Sequence, residues 1–307
     1  MICNKDIKGE ILMIHQNQKG TTAEYYLKAL KKRGYDIKTF NSLIAPRWIT
    51  KKISIPLGKN ISIQNVIKQF QEKPDIIIEF DGGLRHLAGY KKIDIPTAFY
   101  AVDTHLVSDF HKNIINDFDY VFVAQKDYVP LLKDAKEDGR VYWLPLAADP
   151  EVHKKFEAPK LFDVGFVGNM DPKLHPERAK LLRKMSAKYS VLAVSGLHYE
   201  NMAKVYSVSK IGFNKSINRD LNMRVFEIMS CGAMLLTDKI DNGMNDFFEN
   251  KKHLVMYENE EELNELVQYY LEHEEEREEI AKEGQKEVHE KHTYEHRAEQ
   301  ILKTVKV

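Results

Sequence analysis

The stretch DLNMRVFEIMSCGAMLLTD, residues 220–238, sets Asn222, Arg224 and Glu227 among side chains that demand burial: Val225, Phe226, Ile228 and Met229. A helix over about 221–230 puts Arg224 and Glu227, three apart, on one face. On an open surface they would form an ordinary ion pair contributing roughly 0.2–0.5 kcal/mol. Here Gly232 and Ala233 lead at once into the apolar Met-Leu-Leu, so the helix must be wedged against a sheet. Its first turn then lies at the carboxyl end of the preceding strand. A carboxylate there can accept two hydrogen bonds from a ribose diol, and a guanidinium can neutralise a diphosphate. Recognition of a nucleoside diphosphate sugar requires both.

Other polar groups recur where apolar runs end. Asp81, Gly82 and Gly83 follow DIIIEF, and Val-Asp-Thr-His (102–105) follows PTAFYA. Asp103 and His105, two apart after a strand, can both point into a cleft; the alternative is an ordinary loop pair. Gly82 and Gly83 can equally serve a turn that needs positive φ. Gly168 and Gly196 each follow a strand in the second half, where a ligand can approach the backbone and the amides of a following helix favour phosphate. Neither lies in a GxGxxG fingerprint. Asp220 is a candidate N-cap for the 221–230 helix.

The elements that must position these groups alternate. In the first half, EILMIH (10–15), DIKTF (36–40), DIIIEF (75–80), PTAFYA (96–101), YVFVA (120–124) and VYWLP (141–145) read as short buried parallel strands. The segment TTAEYYLKALKKRG between the first two carries Tyr26, Leu27 and Leu30 at helical spacing and closes at Gly34. Around 145–160, PLAADPEVHKKFEAPK has three prolines and no clear period, and reads as a linker. Strands then resume at 162–168, 190–196, 210–214, 233–238 and 253–257, with helices near 175–188, 199–207, 221–230 and 260–271. The pattern predicts an α/β chain of two doubly wound parallel-sheet units, with ligands at the carboxyl ends of the strands and a cleft if the units face each other. The acidic tail is strongly helical and reads as a solvated helix face.

Composition narrows the class. Among 307 residues, 43% are hydrophobic and 30% charged, and 46 basic side chains balance 46 acidic ones, so no net field draws the chain to nucleic acid or an anionic membrane. Cys3 and Cys231 are the only cysteines, which excludes a disulfide framework and fits a reducing compartment. No apolar run approaches the roughly 20 residues of a membrane span, and the charged N-terminus lacks a signal-peptide core. A cytoplasmic location without a transmembrane segment is expected.

With these segments in view, NMRVFEIMSCGAMLLTD resembles the donor-site segment of GT-B glycosyltransferases of the "group 1" type, and especially the glycosyltransferase-like domain of the spore-maturation CgeB/YkvP type. DVGFVGNMDPKLHPERAKLL is similar to the strand-loop-helix that opens such a C-terminal domain. The closing run, with HTYEHRA at 292–298, is similar to that family's last helices. The resemblance covers roughly 160–305; in the first half only the strand-helix plan and the VDTH loop correspond. It implies a GT-B fold of two Rossmann-like domains facing a central cleft: 1–150 on the acceptor side, 160–290 on the donor side, and a C-terminal helix over 291–307 that can cross back to the first domain.

The resemblance also implies roles. Glu227 takes the place of the carboxylate that binds the donor ribose, with Arg224 and Asn222 beside the diphosphate or sugar. Gly168 and Asn169 would face the phosphates, Gly196 the nucleobase, and Arg178 on the next helix is a further donor-site candidate. His105 resembles an N-domain histidine close to the transferred sugar, and Gly20 the N-domain loop that approaches the diphosphate. Asp81 and Gly82 would lie on the acceptor side, while 43–60 carries no motif. One departure stands out. Related retaining enzymes carry two glutamates with seven residues between them, the second corresponding to Glu227, and the first position here is Arg219.

The expected activity is metal-independent transfer of a sugar from a nucleoside diphosphate donor, UDP- or dTDP-linked, to a hydroxyl on a glycan, protein or small-molecule acceptor. No cofactor, metal or nucleic acid is expected. An inverting reaction would use Asp103 or His105 as general base; a retaining one would use His105 to position the sugar. A nucleotide-sugar 2-epimerase of the same fold and a non-catalytic nucleotide-sugar-binding protein are the alternatives.

Overall fold

The structure, a computed structural model, describes residues 8–16, 19–42, 61–81 and 86–306. Two compact units divide the chain: Met1–Pro145 with Arg297–Val307, and Leu146–His296.

The first unit is built on six parallel strands: β1 (Glu10–His15), β2 (Asp36–Asn41), β3 (Ile76–Phe80), β4 (Thr97–Ala101), β5 (Tyr120–Val123) and β6 (Val141–Trp143). Their order is β2-β1-β3-β4-β5-β6. Ile11 to Ile14 and all of β3 and β4 are buried, as parallel strands covered on both faces should be. Helix α1 (Thr22–Lys32) turns Tyr25, Tyr26, Ala29 and Leu30 inward, and Gly34 follows it at φ 93°. Three helices had no counterpart in the sequence reading: α2 (Ile63–Ile67), α3 (Thr104–Ile114) and α4 (Tyr128–Ala135). Their periods are short or broken. Val107 interrupts α3 with φ −138° and ψ 34°. Buried Glu79 in the apolar β3 run is paired by His86, 3.2 Å away, and by the Tyr90 hydroxyl.

The second unit has five parallel strands: β7 (Phe162–Val167), β8 (Val191–Val194), β9 (Ser209–Asn214), β10 (Met234–Asp238) and β11 (Val255–Tyr257). Their order is β11-β10-β9-β7-β8. The intervening helices are α5 (Pro176–Ser186), α6 (Glu200–Ser207) and α7 (Met223–Ser230), followed by α8 (Glu260–Glu272) and α9 (Glu274–Lys291); the last helix, α10 (Tyr294–Val305), belongs to the first unit from Arg297 on. The acidic tail is not solvated throughout: Leu263, Val267, Tyr270, Ile280 and Ala281 join the core. Helix α7 comes unusually close to β9, because a Cβ at Gly212 would collide with the Ile228 side chain. That approach sets the height of α7 above the sheet, and so the place of its first polar side chains.

The order places a switch point in each sheet, where successive connections leave in opposite directions: between β1 and β3, and between β7 and β9. Ligands of open α/β sheets bind outside the carboxyl ends of the strands at such points.

Candidate functional site

At the β7–β9 switch point two guanidinium groups straddle the gap. Arg224, from the first turn of α7, donates Nε to the Val167 carbonyl at 2.8 Å and Nη1 to Asn214 Oδ1 at 2.9 Å. Arg178, from α5, donates Nη1 to the Asn169 carbonyl at 3.0 Å and Nη2 to the Lys215 carbonyl at 2.8 Å. Each arginine thus ties the end of β7 to the end of β9. Both guanidiniums lie against the Phe166 ring, at 5.0 Å for Arg224 and 5.6 Å for Arg178. Neither makes an ion pair among the described residues. Burial, then the charge of Arg224, lowers the pKa of Arg178 to about 10. The same two arginines, after burial, lower that of His175 at the start of α5.

The positive field is reinforced by backbone. Asn222 is the N-cap of α7 but makes no capping hydrogen bond, so the first amides of the helix remain open. Asn222 Oδ1 and Arg178 Nε are buried without a protein partner. Gly168 gives the closest approach: a Cβ there would fall 2.5 Å from Arg224 Nη2, so any side chain would displace the guanidinium. The Ser195 hydroxyl, at the end of β8, donates to the Gly168 carbonyl at 2.8 Å and links the two loops. Gly196 is exposed at φ 74° with open space beyond it, and Asn169 is exposed.

Glu227, one turn along α7 from Arg224, is 6% exposed. The surface ion pair with Arg224 considered from sequence is not formed, since Arg224 turns to the strand ends instead. Burial raises the pKa of Glu227 to about 7, with Arg224 pulling it down. Its near neighbour is His153, whose Nε2 stands 3.6 Å from Oε1. Asp238, at the end of β10, is buried and satisfied by Lys215 Nζ at 2.8 Å, Ser216 N at 2.7 Å and Ser216 Oγ at 2.6 Å. Asp220 is not the N-cap of α7; the helix starts two residues later than expected, and Asp220 accepts from Asn242 at 3.0 Å. Arg219 is exposed at φ 55° and pairs with Asp241 at 3.2 Å.

In the first unit, Asp81 ends β3 at the other switch point. It accepts the Asp103 amide at 3.0 Å, and His111 Nε2 lies 3.3 Å from the same carboxyl. Asp103 is the N-cap of α3 without a capping bond, and burial of its carboxyl, then the charge of Asp81, raises its pKa. His105 follows half-buried, just ahead of the break at Val107. Gly20 has φ 70°, and its amide donates to Glu24 Oε2 at 2.9 Å, so its own helix already supplies an anion there. Gly82 lies outside the described residues, as do 43–60.

The structure therefore gathers Arg224, Arg178, Asn222, Gly168, Asn169 and Glu227 around one strand edge of the second unit, and Asp81, Asp103 and His105 around one edge of the first. Sequence reasoning missed Asn214, His175, His153 and His111. Asn214 had a signal, since it is the last residue of the strand "KIGFN"; the histidines had none.

Comparison with known proteins now decides the class. Residues 168–303 match the family model described as "Glycosyl transferase-like". The chain has the GT-B fold, and its second half is glycosyltransferase-like. The matched span contains the residues of the β7–β9 edge from Gly168 through Glu227. Sucrose-phosphate synthase from Thermosynechococcus elongatus superposes with a TM-score of 0.67 at 12% identity, over 97% of this chain and 98% of that one. Anabaena HepE in complex with UDP and glucose does so with a TM-score of 0.65 at 13% identity, over 97% and 99%. An alpha-glucosyltransferase in complex with UDP and a 13-mer DNA has a TM-score of 0.65 at 11% identity, over 97% and 100%. At such identities the likeness is one of fold. No curated protein matches the sequence. Among the described residues, no helix is long and apolar enough to cross a membrane.

Proposed function

We propose that the second unit of this glycosyltransferase binds a nucleoside diphosphate sugar at the β7–β9 edge, and that the chain transfers the sugar to an acceptor hydroxyl without a metal. The observation that carries this is the pair of guanidiniums, Arg178 and Arg224, set at a switch point with no carboxylate partner among the described residues. Two such charges beside open helix amides suit a diphosphate. Arg224 and the first amides of α7 would absorb the charge that builds on the leaving diphosphate. Glu227 would accept the ribose hydroxyls, Asn222 Oδ1 offers an acceptor for a further hydroxyl, and the open loop at Gly196 leaves room for the base. Gly168 lets the phosphates reach the backbone. HepE and the alpha-glucosyltransferase were solved with UDP, which favours a UDP-linked donor. In the first unit, Asp103 and His105 are the groups available for proton transfer or sugar positioning, on the side assigned to the acceptor.

Incubation with UDP-, dTDP- and GDP-sugars tests this. Slow release of free sugar and a rise in melting temperature are expected for one base; saturation at a hundred times Kd adds about 2.7 kcal/mol to the folded state. Glu227→Ala should abolish both responses. Retention of full donor affinity in that variant would show the site to be elsewhere.

A further inference from the structure

We propose that His153 is the positioning residue for Glu227: its Nε2–H steers the carboxylate toward the donor ribose and holds it as a hydrogen-bond acceptor. The proposal rests on the assignment of Glu227 as the ribose-binding group and adds the device that sets it. His153 lies in the stretch between the strands of the two units, in a turn closed by its own amide on the Asp149 carbonyl at 2.7 Å. Its ring is fully buried.

Contacts of the ring and of its own backbone place this residue. The Asp149 amide lies 3.1 Å from Nδ1. A backbone N–H can only donate, so Nδ1 must present its lone pair, and the ring proton sits on Nε2. Nε2 in turn points at Glu227 Oε1 from 3.6 Å. The His153 carbonyl accepts the Ser230 hydroxyl at 2.6 Å, one turn past Glu227 on α7. The one Ser230 proton is thereby used, so His289, with Nε2 3.0 Å from Ser230 Oγ, donates to it. The turn carrying His153 is thus bolted to the helix carrying Glu227, and the Asp149 amide on Nδ1 orients the ring within it.

A gap of 3.6 Å is just longer than a hydrogen bond. Site contacts of this kind are often loose before the substrate arrives and tighten around it. A buried carboxyl that takes up a proton loses an acceptor lone pair, and a ribose diol needs two. Among the described residues, the titratable and charged groups around Glu227 are Arg224 on its own helix, Cys231 at that helix's C-cap, Tyr206 from α6, and His153. Arg224 favours the charged form of Glu227 but spends Nε and Nη1 on the strand ends, which leaves His153 to aim an N–H at the carboxylate.

Calorimetric titration of the full chain with UDP from pH 5.5 to 9 tests this in the wild type, His153→Met, His153→Gln and Glu227→Ala. Wild-type affinity should fall as pH drops through the titration of Glu227. His153→Met should move that midpoint upward by about one pH unit and weaken binding about tenfold at pH 7. His153→Gln, which keeps an N–H within reach, should restore most of both. A midpoint and affinity unchanged in His153→Met would overturn the role of His153. If that variant does not fold, 15N-histidine spectra of the wild type decide. A neutral Nε2–H ring whose proton exchange slows on adding UDP supports the proposal, and a Nδ1–H ring or unaltered exchange overturns it. Failure of the donor assignment looks different: the wild type ignores UDP, or Glu227→Ala binds it unchanged.

Discussion

Glu227 shows the conflict that one residue at the site carries. Buried among apolar groups, it has a pKa raised to about 7, from an ordinary 4.5. A carboxyl whose folded pKa is raised stabilises the fold as pH falls from above the folded value toward the unfolded one, and its ionised form costs stability above pH 7. Glu227→Gln is therefore expected to raise the thermal stability of the unliganded chain at pH 8, on the order of 1–3 kcal/mol, while weakening UDP binding at least tenfold. At pH 5 the stability gain should vanish. Thermal melts at the two pH values check the first part and titration the second. A Gln variant that is no more stable at pH 8 would mean that Glu227 is already satisfied in the unliganded chain. Such a trade of stability for binding is common at functional positions. From sequence, the oddity of Arg224 and Glu227 among apolar neighbours was legible. Their partners were not. His153 sits in a proline-rich stretch that reads as a linker, and nothing in its local pattern points to a carboxylate far along the chain.

Among the elements, strands were the most legible and helices of the first unit the least. Runs such as IIIEF and TAFYA declare themselves because both faces of the sheet are covered. Helix α3 hides because Val107 breaks its period, and α4 carries Pro130 in its first turn. The start of α7 was placed two residues early because Asp220 makes a plausible cap by residue type, whereas in the fold it serves Asn242. What positions the site at this scale is the contact between α7 and β9. Gly212 faces Ile228 with no room for a methyl group. Gly212→Ala is expected to lift α7, destabilise the chain by about 1–3 kcal/mol, and lower nucleotide affinity along with it, because Arg224 and Glu227 ride on the same helix. Chemical denaturation paired with UDP titration checks this. Loss of stability with affinity intact would mean that the helix tolerates displacement without disturbing the site.

For the whole molecule, sequence alone carried the two-unit α/β plan and the GT-B class, through alternation of strands and helices and through motifs confined to the second half. The family match over residues 168–303 and the fold likeness to sucrose-phosphate synthase and HepE agree with that plan. The switch points needed the strand orders, which spacing does not carry. Once those orders are known, both arginines fall at one of them and Asp81 at the other. The central claim is that a sugar nucleotide sits at the carboxyl edge of β7 and β9, gripped from the second unit. Its most direct test is a crystal structure of the chain grown with UDP. The diphosphate is expected against Arg178, Arg224 and the first amides of α7, with the ribose hydroxyls on Glu227. UDP ordered anywhere else on the chain, with that edge untouched, would contradict it.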